Sequence, residues 1–264
     1  MDLGLHERVV LLVGASSGIG AATARALAAE GTRLAVVARR ADALDQLAES
    51  LVMTGAQRPL RLALDASLEG AMDEAVARTL EHFGALHCLA VIAGPMGPRG
   101  SLHEMANSDW RYYFDKSLML AVQACRAVLP PMRQQGAGAI VTTSAYSIRA
   151  QKPGLVAYTA AKTAIASLTK NLAKSYGAEG IRANCIAPGV VEKDDDANAE
   201  WARRHGVPPE RARYQYVKRE FQMSVALERA GRHAEFADVI AFLLSDRASY
   251  VTGATINVDG GTDF

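Results

Sequence analysis

Val9-Val10-Leu11-Leu12-Val13-Gly14-Ala15-Ser16-Ser17-Gly18-Ile19-Gly20 is the stretch that decides the fold. Five consecutive apolar residues, three of them β-branched, read as a strand buried on both faces. The glycines at 14, 18 and 20 let the backbone turn tightly into an apolar helix over 18–30. A chain passing from a strand through glycines to a helix N-terminus leaves amide N–H groups facing an anion such as a phosphate. A G-x-x-x-G-x-G string alone is a common turn. Lying between a first strand and a first helix, it reads as a nucleotide cradle.

The same alternation continues outward. Apolar runs at 34–38, 60–64, 86–92, 139–143, 181–187 and 254–258 read as strands, and amphipathic stretches at 41–53, 67–83, 108–132, 157–176 and 233–244 read as helices. The expected fold is a single α/β domain over 1–264, a Rossmann-like doubly wound parallel sheet of about seven strands with helices on both faces. One compositional break runs over 192–221, dense in charge and carrying Pro208-Pro209. It reads as a solvated helical insertion or, given its place after a strand's carboxyl end, as a lid.

Composition narrows the function. The chain has 264 residues, half of them hydrophobic, and a formal net charge of +1, so nothing favours nucleic acid or an anionic membrane surface. Cys88, Cys125 and Cys185 are scattered, without the spacing of a disulfide framework or a zinc site, and no metal is expected. The first residues do not read as a signal peptide, and no run approaches the ~18 apolar residues of a membrane span. The expectation is a cytoplasmic protein acting on a small molecule. His103, His205 and His233 lack ligand spacing and read as surface residues. Trp110, Tyr112, Tyr113 and Phe114 read as packing or subunit contacts. Arg203, Arg204, Arg211 and Arg213 are offset by Asp194, Asp195, Asp196, Glu200 and Glu210, so they do not point to an anionic substrate.

Tyr158 and Lys162 carry the chemistry. Four residues apart on a helix, their side chains share a face. A phenol titrates near ~10, and an adjacent ammonium pulls that value down toward working range, which makes the pair a candidate acid–base device.

Taken together, Gly14–Gly20, Asp65, Ala93-Gly94, Tyr158-x-x-x-Lys162, Asn184-Cys185-Ile186-Ala187-Pro188-Gly189 and the tail Val251-Thr252-Gly253 to Asn257-Val258-Asp259-Gly260-Gly261 give the chain its likeness. It resembles the single-domain branch of the short-chain dehydrogenase/reductase family. The resemblance implies a nicotinamide dinucleotide cofactor held by Gly14, Ser16, Ser17, Gly18, Ile19 and Gly20. Asp65 would meet the adenine, Ala93 and Gly94 would follow it along the cofactor, Lys162 would bind the nicotinamide ribose, and Pro188, Gly189 and Val191 would line the nicotinamide. It also implies a homo-oligomer, a dimer or tetramer. At the end of the second strand an NAD enzyme needs a carboxylate for the ribose 2′-hydroxyl, whereas a 2′-phosphate needs a cation. Here the residues are Ala38-Arg39-Arg40, so NADP(H) is expected over NAD(H), with Arg39 on the phosphate and Arg40 assisting.

The catalytic end departs from the family pattern. The serine expected thirteen residues before the tyrosine is Ala145. Its neighbour Ser144, or Tyr146 or Ser147, could substitute only if the backbone turns there, because adjacent strand residues face opposite ways. The asparagine of the family's N-N-A-G is missing from Val91-Ile92-Ala93-Gly94. The helix asparagine behind the lysine is Ser117, and the threonine after Pro188-Gly189 is Lys193. The leading expectation is an NADP-dependent interconversion of a carbonyl and an alcohol, with Tyr158 as acid or base, Lys162 tuning it, and Ser144 and Ser117 as candidate helpers. A non-redox dehydratase, cyclase or isomerase, and a non-catalytic cofactor-binding subunit, are the alternatives that Ala145 raises.

Overall fold

Among the residues that the computed structural model describes, 2–193 and 196–262, seven strands form one sheet. They are β1 (Val9–Val13), β2 (Arg33–Ala38), β3 (Leu60–Ala63), β4 (Cys88–Val91), β5 (Gly138–Thr143), β6 (Ile181–Pro188) and β7 (Thr255–Val258). Their spatial order is β3-β2-β1-β4-β5-β6-β7, and every pairing is parallel. The order reverses between β1 and β4, and in doubly wound sheets the crevice at that reversal holds the ligand.

The helices cover both faces, as two-sided burial of the strands requires. Along β1, Val9, Leu11 and Val13 face one core while Val10 and Leu12 face the other. The first core is closed by α3 (Ala71–Phe83), α5 (Leu120–Gln135) and α6 (Val156–Tyr176). The second is closed by α1 (Gly18–Ala29), α2 (Ala41–Met53) and α9 (His233–Leu244). The helix expected over 67–83 starts only at Ala71, because the Asp65 carboxylate accepts the Ser67 N–H and holds that turn outside the helix. The helix expected over 108–132 is instead α4 (Asn107–Tyr113), a π-helical segment (Phe114–Met119) and then α5. π-helical segments inside α-helices are rare and are frequently found at functional sites.

The charged break contains two helices, α7 (Asp196–His205) and α8 (Pro209–Phe221), with Pro209 in the first turn of α8, where its missing N–H costs nothing. Tyr214, Val217, Met223 and Val225 pack on Val190 beyond β6 in an apolar cluster of their own. No helix among the described residues is long and apolar enough to cross a membrane.

Candidate active site

Helix α6 places Tyr158 and Lys162 one turn apart at the floor of a cleft of about 580 Å³. Lys162 is 2 % exposed, its Nζ donates to the carbonyl of Thr143 at 3.0 Å, and it stands 5.8 Å from the Tyr158 ring centre. Gly94, with φ at 141°, makes room for it: a Cβ there would lie 2.7 Å from Nζ and 3.3 Å from Ser117 Oγ. Ser117 itself sits in the π-helical segment, and its hydroxyl, like that of Thr143, is buried with no hydrogen-bond partner. Orphaned buried hydroxyls are uncommon, and these two flank the ammonium.

Burial dominates the electrostatics. It lowers the Lys162 ammonium to about 8 and raises the Tyr158 phenol above its ordinary value. Tyr146 and Tyr113 add to the rise in Tyr158, and Arg99 opposes it. The lowering of the tyrosine expected from Lys162 is not seen: with Nζ 5.8 Å from the ring centre, loss of water from the cleft wall sets the direction of the shift. At neutral pH the phenol is protonated.

The end of β5 answers the question raised by Ala145. Ser144 donates its hydroxyl to the Lys162 carbonyl at 2.8 Å, so its proton joins β5 to α6 and is not offered to the cleft. Ala145 continues the extended backbone (φ −157°, ψ 155°), and the chain then turns over Tyr146–Ile148. The turn that a substitute needs is therefore present, one residue later. Tyr146 lines the cleft with its hydroxyl 3.1 Å from the Met223 sulfur, whereas Ser147 is fully buried and receives the Thr159 hydroxyl.

The opposite end of the same cleft is formed by the glycine turn. Gly14, Ser16, Ser17, Ile19 and Gly20 line it, and Gly18 lies just behind them. A Cβ on Gly20 would stand 1.9 Å from the Gly14 carbonyl oxygen, so the turn closes only with glycine. Ser17 is extended at the head of α1 and makes no side-chain cap, which leaves the first-turn N–H groups for an anion. Arg39 lines the cleft and is exposed. Arg40 lies outside the lining and makes only a long contact, 3.5 Å, to the Ser16 carbonyl. Asp65 accepts the hydroxyl and N–H of Ser67 and pairs with Lys116 at 3.2 Å. Burial raises its carboxyl, but these bonds outweigh burial and hold it below its ordinary value. Ala93, Gly94, Pro188, Gly189 and Val191 join the two ends. A Cβ on Gly189 would lie 2.6 Å from the Asp259 Cα. The uncapped helix N-terminus and the glycine cradle fit the pyrophosphate of a dinucleotide.

Sequence reasoning missed part of the wall. Lys116, Arg99, Tyr112, Phe221, Met223 and His233 all line the cleft. Arg99 stacks over Phe221 at 5.3 Å, which brings the loop after β4 against the end of α8. His233, read as a surface residue, is half-buried, with Nδ1 3.1 Å from Glu192 Oε1. Its position opening α9 beside α1 carries no local sequence signal. Arg213 reaches the cleft from α8 and donates to the Val191 carbonyl at 3.4 Å. His103 and His205 are exposed as expected. Asp194 and Asp195 lie outside the described residues. Cys88, Cys125 and Cys185 are free and buried, and burial pushes the first two thiols up to about 12. Among the described residues, no three His, Cys, Asp or Glu side chains are grouped to hold a metal ion.

A doubly wound sheet with a glycine turn at its switch point and a Tyr–Lys pair across the cleft defines a Rossmann-fold, nucleotide-binding class of protein. Residues 14–263 match a family model described as enoyl-(acyl carrier protein) reductase. The chain is 36% identical to 2-(R)-hydroxypropyl-CoM dehydrogenase of Xanthobacter autotrophicus, covering 96% of this chain and 98% of that protein. It is 35% identical to cis-4-hydroxycyclohexanecarboxylate dehydrogenase of Sinomonas cyclohexanicum, covering 97% and 96%. The structure of L-sorbose reductase from Gluconobacter frateurii, complexed with NADPH and L-sorbose, superposes with a TM-score of 0.89 at 32% identity, covering 99% of this chain and 98% of that one. The chain belongs to the short-chain dehydrogenase/reductase family. Its relatives are oxidoreductases acting on alcohols and carbonyls, and its structural neighbours bind NADPH or NADH.

Proposed function

We propose that the protein is an NADP-dependent oxidoreductase interconverting a carbonyl and an alcohol on a small molecule. One observation carries the reading: a single cleft runs from Arg39 to Tyr158, so one ligand can reach both. Bound there, the nicotinamide would supply or accept a hydride at the substrate carbon. The glycine turn would hold the pyrophosphate by its amides, and Arg39 the 2′-phosphate. Asp65, already braced by Lys116, would face the adenine.

The chain's own residues handle the proton. Tyr158, protonated at neutral pH, donates to the substrate oxygen as a carbonyl is reduced and recovers the proton in the reverse direction. Lys162 holds the ribose and stabilises the phenolate once the proton has left. Ser117, in the asparagine's place, leaves a buried hydroxyl without a protein partner on the Lys162 side of Gly94, where it would be free to bond a water. The second donor to the substrate oxygen is Tyr146 rather than Ser144. It opens the turn and lines the same cleft as Tyr158, with its hydroxyl 3.1 Å from the Met223 sulfur.

The test is transfer of deuterium from C4 of labelled NADPH to product across a panel of ketones. Label in the alcohol, a lower Kd for NADPH than for NADH, and loss of turnover in Tyr158→Phe are expected. Product formed with no label transfer would instead support a non-redox reaction. Tighter NADH binding would remove the role given to Arg39.

A further inference from the structure

We propose that His233 is a cofactor-binding residue that donates from its Nε2 to the pyrophosphate. The proposal rests on the dinucleotide reading above and adds a ligand from the far side of the sheet's carboxyl edge. His233 is the first residue of α9, and its ring points at the first residue of α1: a Cβ built on Gly18 would lie 3.4 Å from His233 Nε2. The ring lines the cleft beside the glycine turn. Two helix N-termini therefore meet at one place, and the imidazole stands between them.

Its other nitrogen is already committed. Glu192 Oε1 lies 3.1 Å from Nδ1 and also accepts the backbone N–H of His233 at 2.7 Å. Glu192 is held in turn by its own N–H, donated to the Gly231 carbonyl at 2.9 Å. With Nδ1–H given to the carboxylate, a neutral ring presents a bare acceptor at Nε2, which an anion repels. The doubly protonated ring keeps the Glu192 bond and turns an N–H toward the cleft. A cation at a helix N-terminus opposes the helix dipole. Glu192 offsets that on one side, and a pyrophosphate would offset it on the other. Lys193 follows Glu192 in the chain, and Arg213 of α8 reaches the neighbouring Val191 carbonyl; further charges lie on the histidine's own helix and the turn before it. Glu235 is tied to Arg229 at 2.7 Å and to the Arg232 N–H, and Arg232 is exposed. The first turns of α1, Gly18 to Thr23, carry no charged side chain.

Affinities for NADPH, with NADH alongside, and for adenosine 2′-monophosphate, which lacks the pyrophosphate, test this in the wild type, His233→Phe and His233→Gln. A charge-assisted hydrogen bond corresponds to roughly 10- to 100-fold in affinity. His233→Phe should weaken NADPH by about that factor near pH 6 and leave adenosine 2′-monophosphate unchanged. His233→Gln, which keeps a donor, should fall between. Equal NADPH affinity in wild type and His233→Phe would overturn the proposal. So would parallel losses for both ligands, which mark a purely structural residue. A wild type that binds neither dinucleotide would overturn the dinucleotide reading itself, and this proposal with it.

Discussion

In the proposed reaction Ala145 offers no hydroxyl to the wall facing Tyr158, and Tyr146, the first residue of the turn, would supply one. Removing one preorganised donor from a developing oxyanion typically costs ~10²–10³ in rate. Tyr146→Phe should therefore lower kcat on the protein's substrate by about that factor with little change in Kd for NADPH. Adding Ala145→Ser to it should recover about tenfold or more; a double variant as slow as Tyr146→Phe alone would mean that the pocket takes no donor at that point. Lys162 gives a prediction of a different kind. Its folded value of about 8 lies below the ordinary 10.5, so between those values the unfolded chain binds more protons and stability rises with pH. Below about 8 the buried ammonium is a constant cost, on the order of 3 kcal/mol before its bond to the Thr143 carbonyl is set against it. Lys162→Met should abolish turnover, yet in the cofactor-free protein its Tm relative to wild type should be highest near pH 7 and fall toward pH 10. A difference that is flat or growing with pH would contradict burial as the cause of the lysine's shift.

At the scale of elements, α8 walls the end of the cleft where the proposed substrate would sit. It contributes Arg213, Val217 and Phe221 to the wall and is anchored by the cluster around Val190, apart from the two cores of the sheet. Val217→Asp puts an unpaired carboxylate into that cluster while leaving both main cores intact. The substrate KM should rise about tenfold, tryptic cleavage within 209–221 should quicken, and the main unfolding transition should move little; an unchanged KM would show that α8 is not part of the substrate wall. The insert's location and helical character were legible because its charge density breaks the apolar pattern. The strands were legible because burial on both faces leaves uninterrupted runs such as Val9–Val13. The π-helical segment was not, since a single inserted residue barely disturbs helical periodicity, and neither was the half of the cleft built by Arg99, Lys116 and His233. Those three arrive from separate elements, and what brings them together is the sheet order, which no local spacing encodes. The Tyr–Lys pair and the glycine turn could be read because each is complete within one element or one turn. The facing of Ser144 could not be read from sequence, because it depends on where the strand ends.

At the scale of the whole molecule, the apolar surface is uneven. All four residues of β7 are partly exposed although the strand closes one edge of the sheet, and an unpaired edge invites another chain. Beside it, Tyr250 is fully exposed, and Phe242 in the last turn of α9 is exposed as well. With a net charge of only +1, electrostatic repulsion does little to keep copies apart. This margin is the natural place for the dimer or tetramer expected from the family, formed by the isologous contact of one copy's α9–β7 face with another's. Light scattering after size exclusion at micromolar concentration should give a multiple of the single-chain mass. Tyr250→Glu combined with Phe242→Glu should reduce that multiple while leaving NADPH affinity intact, because the cleft opens at the carboxyl ends of β1 and β4, at the centre of the sheet. A wild type running as a single chain would remove the oligomer altogether. An assembly unchanged by the double substitution would place its contact elsewhere, and the exposed Phe114 and Met119 of the π-helical segment offer the next surface to replace. A contact there would have a functional consequence that the β7 margin lacks, because the segment holding Ser117 behind Lys162 would then be braced by a second copy, and dilution below the dissociation constant should lower kcat.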